Sequence, residues 1–250
     1  SASDASTVEY DTDGQALHIV YSGATNGWIP ILDKTVDDVP VIPGHNEAIF
    51  GFGFTTGYVS ITNLVSNTGV VGTDVAGVGT ARWYLCATEY GNDKGIFGYG
   101  DDGGYVSYTN LVTNAGVVGT DVTGVGTARE RLAACRYGTD TSIFAFGSTA
   151  GFLALSNLVA NTGVVATDTA GVGSGRQNLS ACEYGDDKGI FGYGYLGSVT
   201  GITNLVSNTG VVATDVAAVG TAAYGRTAVE YGGDKGIFAY GHDHVGSGYQ

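Results

Sequence analysis

The chain has 250 residues, a net charge of −14 and only ten Lys and Arg residues. So sparse a basic complement makes no patch for nucleic-acid phosphates or an anionic membrane surface. Its apolar runs are too short for a transmembrane helix. Forty-three glycines against three prolines suit many short strands joined by tight turns.

In chain order, the first expected elements are two strands within TVEYDTDGQALHIVY (7–21), joined by the turn Asp11-Thr12-Asp13-Gly14. A short strand follows near Asp37–Ile42. From there the chain repeats itself. Ile-Phe pairs begin at Ile49, Ile96, Ile143, Ile190 and Ile237, a constant step of 47 residues. The second copy is the clearest. It predicts strand A over Leu85–Tyr90, strand B over Gly95–Gly100, strand C over Tyr105–Val112 and strand D over Val117–Val122. Val, Tyr, Phe and Thr favour strands, and the intervening Asn/Asp/Gly clusters favour turns. The fifth copy stops after strand B, at Gly241.

Four strands per unit of 40–50 residues is the pattern of a propeller blade. The predicted fold is therefore all-β: a single five-bladed β-propeller over residues 1–250, with four antiparallel strands per blade. Residues 1–22 would complete the last blade, begun at about 225–241, and so close the ring without an open sheet edge. Small residues in strand A (Ala87, Ala134, Ala181, Ala228) suit the innermost strand. Gly98 and Gly192 beside the B-strand phenylalanines would let the next blade approach.

The order of Arg, small strand, turn and Gly-ended aromatic strand in TARWYLCATEYGNDKGIFGYG resembles kelch-type repeats, and VEYDTDGQALHIVY resembles their outer hairpin. The kelch double glycine and outer tryptophan are missing from most copies, so the resemblance is one of blade grammar. NLVSNTGVVATDVAGVGTAR is similar to repeats of bacteriophage virion and tail proteins. These resemblances imply a repeat scaffold on a virion or other extracellular surface. The lack of methionine fits loss of an initiator or leader, or excision from a larger chain.

Comparing the copies separates scaffold from candidate site. The A–B turn (GNDK, GDDK) and the C–D turn (SNTG, TNAG, ANTG) are nearly fixed. Two segments vary. One follows strand B and begins at Phe54, Asp101, Ser148, Tyr195 and His242. The other follows a repeated arginine and holds Trp83 and Tyr84, Glu130 and Arg131, Gln177 and Asn178, then Tyr224 and Gly225. Antiparallel order puts both variable segments at one end of every blade and the fixed turns at the other. Varied loops on a constant frame are how binding faces are built. The candidate ligand-binding residues are Trp83, Tyr84, Asp101, Asp102, Glu130, Arg131, Gln177, Asn178, Tyr195, Tyr224 and Arg226, with Trp28 as a further aromatic.

Exposed aromatic rings beside polar groups suit a glycan or a protein surface as partner. A purely structural decoration or assembly subunit, within a larger assembly, is the alternative. A glycan-acting hydrolase is a third reading, on Glu89, Glu183 and Glu230. Regular copies of one glutamate would have similar surroundings, which opposes the unequal carboxyl pair that glycoside hydrolysis needs. The expectation is thus no enzyme, cofactor, metal, nucleic-acid partner or membrane insertion. Arg82, Arg129 and Arg176 are expected to bridge blades through the carboxylate column Asp74, Asp121, Asp168 and Asp215. Cys86, Cys135 and Cys182 are expected to be small core residues, and His242-Asp243-His244 a tail.

Overall fold

A computed structural model of the chain describes the backbone of residues 18–21 and 28–31, and residues 47–243 with their side chains. The chain forms two compact units, Ser1–Gly44 and His45–Gln250. In the first, β1 (His18–Tyr21) pairs antiparallel with β2 (Trp28–Ile31). The strand and turn expected over 7–14, and the strand expected near 37–42, lie outside the described residues.

Among the described residues the second unit is all-β and built of small antiparallel sheets, none closed on itself. β3 (Ala48–Phe54) pairs with β4 (Tyr58–Val65). Three-stranded sheets follow: β5 (Cys86–Tyr90), β6 (Lys94–Asp101) and β7 (Tyr105–Val112); then β8 (Ala133–Tyr137), β9 (Thr141–Ala145) and β10 (Ser156–Val159). Next come β11 (Ser180–Tyr184), β12 (Lys188–Gly192) and β13 (Thr203–Val206). β14 (Thr227–Tyr231) and β15 (Lys235–Ala239) end the series. The B strand is central in each three-stranded sheet.

In the described copies of the second unit strands A, B and C thus form where the sequence puts them, but D does not form as a strand. In the second repeat it touches strand C only at the bridges Val118–Val112 and Val122–Thr109. The fully buried Asn110 stands in for the missing ladder. Its Nδ2 donates to Gly119 O (3.0 Å) and Asp121 Oδ1 (2.9 Å). Asn157 and Asn204 do the same one and two repeats later.

Successive sheets pack through a repeated aromatic step. At the end of strand B the register shifts at a bulge, where Tyr99 has φ 62° and Gly100 φ 109°. The bulge turns the Tyr99 ring onto Phe144 of the next repeat, with centroids 5.2 Å apart. The same edge-on or tilted contact joins Phe52 to Phe97 (5.1 Å), Phe146 to Phe191 (5.4 Å) and Tyr193 to Phe238 (5.3 Å). Bulge glycines sew the repeats together by backbone: Gly100 N donates to Arg129 O, and Gly147 N to Arg176 O.

The A strands β5, β8, β11 and β14 lie side by side in succession. At the constant-turn end Gly91, Gly138 and Gly185 each donate to the carbonyl of Asp140, Asp187 and Asp234 in the next repeat. Among the described residues the series is exposed at both ends. Phe50 is 64% exposed and Tyr240 is 76% exposed, whereas Phe144, Tyr99 and Phe191 are fully buried.

The buried arginines are scaffold, with partners other than those expected. Arg129 sends Nε to Phe146 O (2.8 Å), Nη1 to Thr127 O (3.0 Å) and Nη2 to Asn157 Oδ1 (2.8 Å). Its guanidinium lies 4.3 Å from the Tyr99 ring of the preceding repeat. Arg82 repeats all of this on Phe52; Arg176 stacks on Phe146 and donates to Tyr193 O and Ser174 O, but its Nη2 makes no bond to Asn204. Burial lowers the Arg176 pKa to about 10, so it stays charged at neutral pH. The aspartates bind elsewhere: Asp121, Asp168 and Asp215 clamp the N–H and hydroxyl of Thr80, Thr127 and Ser174 in the adjoining D–A loop. Only Arg82 Nη1 comes within 4.0 Å of its aspartate, Asp121.

Candidate functional site

The two variable segments are hydrogen-bonded to each other in four repeats. Trp83 and Asp101 exchange both backbone bonds at 3.0 Å. Glu130 pairs likewise with Ser148, Gln177 with Tyr195, and Tyr224 with His242. The most varied positions of the sequence therefore stand as cross-strand pairs at one end of the sheets.

The next residue of each D–A segment carries the arrangement inward. Arg131 N donates to Tyr84 O (2.9 Å), Asn178 N to Arg131 O (3.0 Å) and Gly225 N to Asn178 O (2.8 Å). These links form an arc of four residues from four repeats. All four have left-handed backbones: φ is 51° at Tyr84, 55° at Arg131, 52° at Asn178 and 62° at Gly225. That conformation costs a side-chain-bearing residue about 1–2 kcal/mol, and such strain concentrates where side chains are held for function.

The arc borders a concavity of about 460 Å³ lined by Tyr84, Arg131, Gln177, Asn178, Tyr195, Tyr224 and Gly225. Six of the predicted site residues therefore meet around one space. Its size falls within the roughly 300–1,000 Å³ of small-molecule sites.

Four more stand on the same end beside it. Trp83 packs on Tyr84 (3.9 Å between centroids) and on Phe54 (4.9 Å), and Phe54 on Tyr58 (5.6 Å). Asp101 organises this group, its Oδ1 accepting from Tyr58 Oη (3.1 Å), Trp83 Nε1 (3.3 Å) and Gly103 N (3.0 Å). Asp102 Oδ2 accepts from Tyr108 Oη at 2.6 Å. Glu130 Oε1 lies 3.2 Å from Arg131 Nε. Burial raises the Glu130 pKa, and Arg131 opposes the rise.

Arg226 does not line the concavity. Its guanidinium sits 4.2 Å from the Tyr193 ring, and Nη2 donates to Thr221 O. It thereby restores, from three residues downstream, the ring-stacked cation that Ala223 cannot supply. The side-chain position of Trp28 lies outside the described residues. Phe54, Tyr58, Phe152 and His242 belong to the aromatic surroundings but are not among the predicted site residues, and His242, expected in a tail, pairs with Tyr224 instead. Phe152 stacks edge-on to Tyr195 (5.9 Å), and Tyr224 lies 5.2 Å from His242. Phe54 and His242 opened variable segments, so their signal was present. Tyr58 and Phe152 lie just beyond those positions.

The opposite end holds the glutamates of the hydrolase reading. Arg136 stands between two of them, its Nη1 3.2 Å from Glu89 and its Nε 3.6 Å from Glu183. Burial raises the Glu183 pKa to about 6; Arg136 opposes this, and Glu230 and Glu89 add to it. All three cysteines are free thiols, and burial raises each pKa, to about 11 for Cys182. Among the described residues no three His, Cys, Asp or Glu side chains come together as a metal site.

No family model matches the chain, and no curated protein matches it.

Proposed function

We propose that the chain is a five-bladed β-propeller closed between its termini, and a non-catalytic recognition module of an extracellular or virion surface. Its variable loops bind a glycan. The observation that carries the binding reading is the pairing of the two variable segments, which brings Tyr84, Arg131, Gln177, Asn178, Tyr195 and Tyr224 around one concavity. Closure is supported by the 47-residue step, by the A strands lying side by side, and by the two exposed aromatic ends, Phe50 and Tyr240.

A glycan array with the full chain tests the binding reading. Clear hits that weaken about tenfold or more in Trp83→Ala or Tyr224→Ala are the expected result. Hits unchanged in both variants, or none at all, would sink it.

One observation favours an assembly role as a second reading. Val70, Val117, Val164 and Val211 occupy the same C–D turn position, and each is 61–65% exposed. A regular apolar column of this kind suits contact with another protein. Sedimentation of the wild type and of a quadruple Val→Ser variant at several concentrations would reveal self-association carried by this column.

A further inference from the structure

We propose that the concavity selects a carboxylated sugar, a pyranose bearing an acid group, with Arg131 as the carboxylate partner. This rests on the glycan reading above and goes beyond it in naming the ligand's charge.

The first argument is the exceptional chemistry of the lining. The molecule carries a net charge of −14, yet no described residue lining the concavity is acidic, and one is an arginine. Asp37, one period before Tyr84, lies outside the described residues.

The second argument is the state of the donors. The Arg131 guanidinium lies 4.1 Å from the Tyr84 ring, and its Nε edge faces Glu130. Among the described residues its two terminal nitrogens make no hydrogen bond. The side chain remains 28% exposed. A flat, immobilised guanidinium with a free terminal edge matches a carboxylate in two parallel bonds. Ser148 Oγ donates to Gln177 Oε1 at 2.5 Å, which fixes that amide with its NH₂ left to donate. The Asn178 side chain has no hydrogen-bond partner among the described residues, and its place on the arc next to Arg131 puts a second amide at the site.

The third argument separates a sugar from an acidic peptide. Tyr195 and Tyr224 face each other edge-on with centroids 6.0 Å apart and give the concavity two aromatic rings, while the Tyr84 ring is covered by Trp83 and Arg131. Aromatic faces take the C–H face of a pyranose, while amide and guanidinium donors take its oxygens. An extended acidic peptide needs a free sheet edge or a long groove. Here the B–C and D–A segments already satisfy each other's backbone.

Calorimetric titration of the full chain tests the proposal with two trisaccharides, one ending in a hexuronic acid and one its carboxyl-reduced counterpart. The acid is expected to bind about tenfold or more tightly, as a charge-assisted pair implies. Arg131→Asn, which places here the residue that holds the same left-handed position one repeat on, should abolish the preference by bringing the acid's affinity down to that of the neutral sugar. Lys94→Gln, on a constant turn, should retain the preference. Equal binding of both sugars by wild type would overturn the carboxylate assignment and leave the glycan reading standing. Binding of neither would remove both. Tighter binding of a glutamate-rich peptide than of the acidic sugar would overturn the assignment in favour of a protein partner. The wild-type comparison holds even if the Arg131 variant does not fold.

Discussion

Phe144 occupies the space that a side chain on Gly98 would need. A Cβ added to Gly98 would lie 2.8 Å from Phe144 Cζ and 3.2 Å from Thr109 Cγ2. The contact crosses from one repeat to the next, and it recurs where Gly192 meets Phe238 at 2.9 Å.

Gly98→Ala should therefore destabilise, although alanine is normally the better strand residue by about 0.5–1 kcal/mol. Overpacking at a closed contact costs about 1–3 kcal/mol, so a net loss of about 1 kcal/mol is expected in urea unfolding. The third repeat carries Ala145 at this position and has the widest ring separation of the four, 5.4 Å. Unchanged or increased stability would show that the ring can shift aside freely.

Arg129→Lys tests whether the buried arginine column is a clamp or merely a charge. Lysine keeps the charge but loses the planar fork, and cannot serve Phe146 O, Thr127 O and Asn157 Oδ1 together while stacking on Tyr99. Leaving one buried acceptor unpaired costs about 1–3 kcal/mol. A loss of about 2–4 kcal/mol in chemical denaturation is expected, against little change for Lys94→Gln.

Whether the series closes can be read from Phe50. Phe144→Ala should cost about 3–5 kcal/mol, as for any buried phenylalanine. An aromatic ring 64% exposed, like Phe50, would by itself cost well under that when removed. If the chain closes in solution, Phe50 gains Tyr240 as the other repeats gain their neighbours. Phe50→Ala and Tyr240→Ala should then each cost about 2 kcal/mol or more, and deletion of residues 1–22 should lower Tm. Near-zero effects in all three would mean an open array.

How far the residues announced this architecture depends on the scale of the signal. The 47-residue step and the Val, Phe and Gly patterning marked strands A, B and C to within a residue or two, because burial and turn chemistry are local. The loss of strand D was hidden, since it follows from Asn110, Asn157 and Asn204 taking over its backbone partners. Variation between copies marked the end that holds the candidate site, because antiparallel order fixes which loops share an end. It could not tell Arg131, which faces the concavity, from Arg226, which stacks on Tyr193 between repeats. That distinction rests on three-dimensional position alone.

Glu183 gives a pH dependence of definite sign. Its folded pKa, about 6, lies above the ordinary 4.5, so between these values the folded state holds a proton that the unfolded state has released. Stability must then fall as pH rises from about 4.5 to 6, and level off above. After allowance for solvent screening the step is about 1 kcal/mol. Glu183→Gln should flatten that step in thermal melts and match or exceed wild type at pH 7. Partial desolvation opposes the ionisation of Asp121, Asp168 and Asp215, but hydrogen bonds from their Thr, Ser and Asn partners hold their pKa values below 3.8. Their contribution is present above 3.8 and lost only on further acidification, outside the Glu183 window.

Asn178→Gly separates stability from recognition at the arc. Asn178 holds φ 52°, and the equivalent residue one repeat on is already glycine, at φ 62°. Glycine relieves the left-handed strain, which is smaller for asparagine than the about 1–2 kcal/mol of most residues, but gives up about 0.5–1 kcal/mol through its freer unfolded chain. The variant should be as stable as wild type or up to about 1 kcal/mol more stable, measured by urea unfolding. Binding should move the other way, because the substitution removes an amide donor beside Arg131. A site that trades stability for a placed side chain must show both changes together. Higher stability with undiminished affinity for the acidic trisaccharide would mean that Asn178 is placed there by the fold and takes no part in recognition.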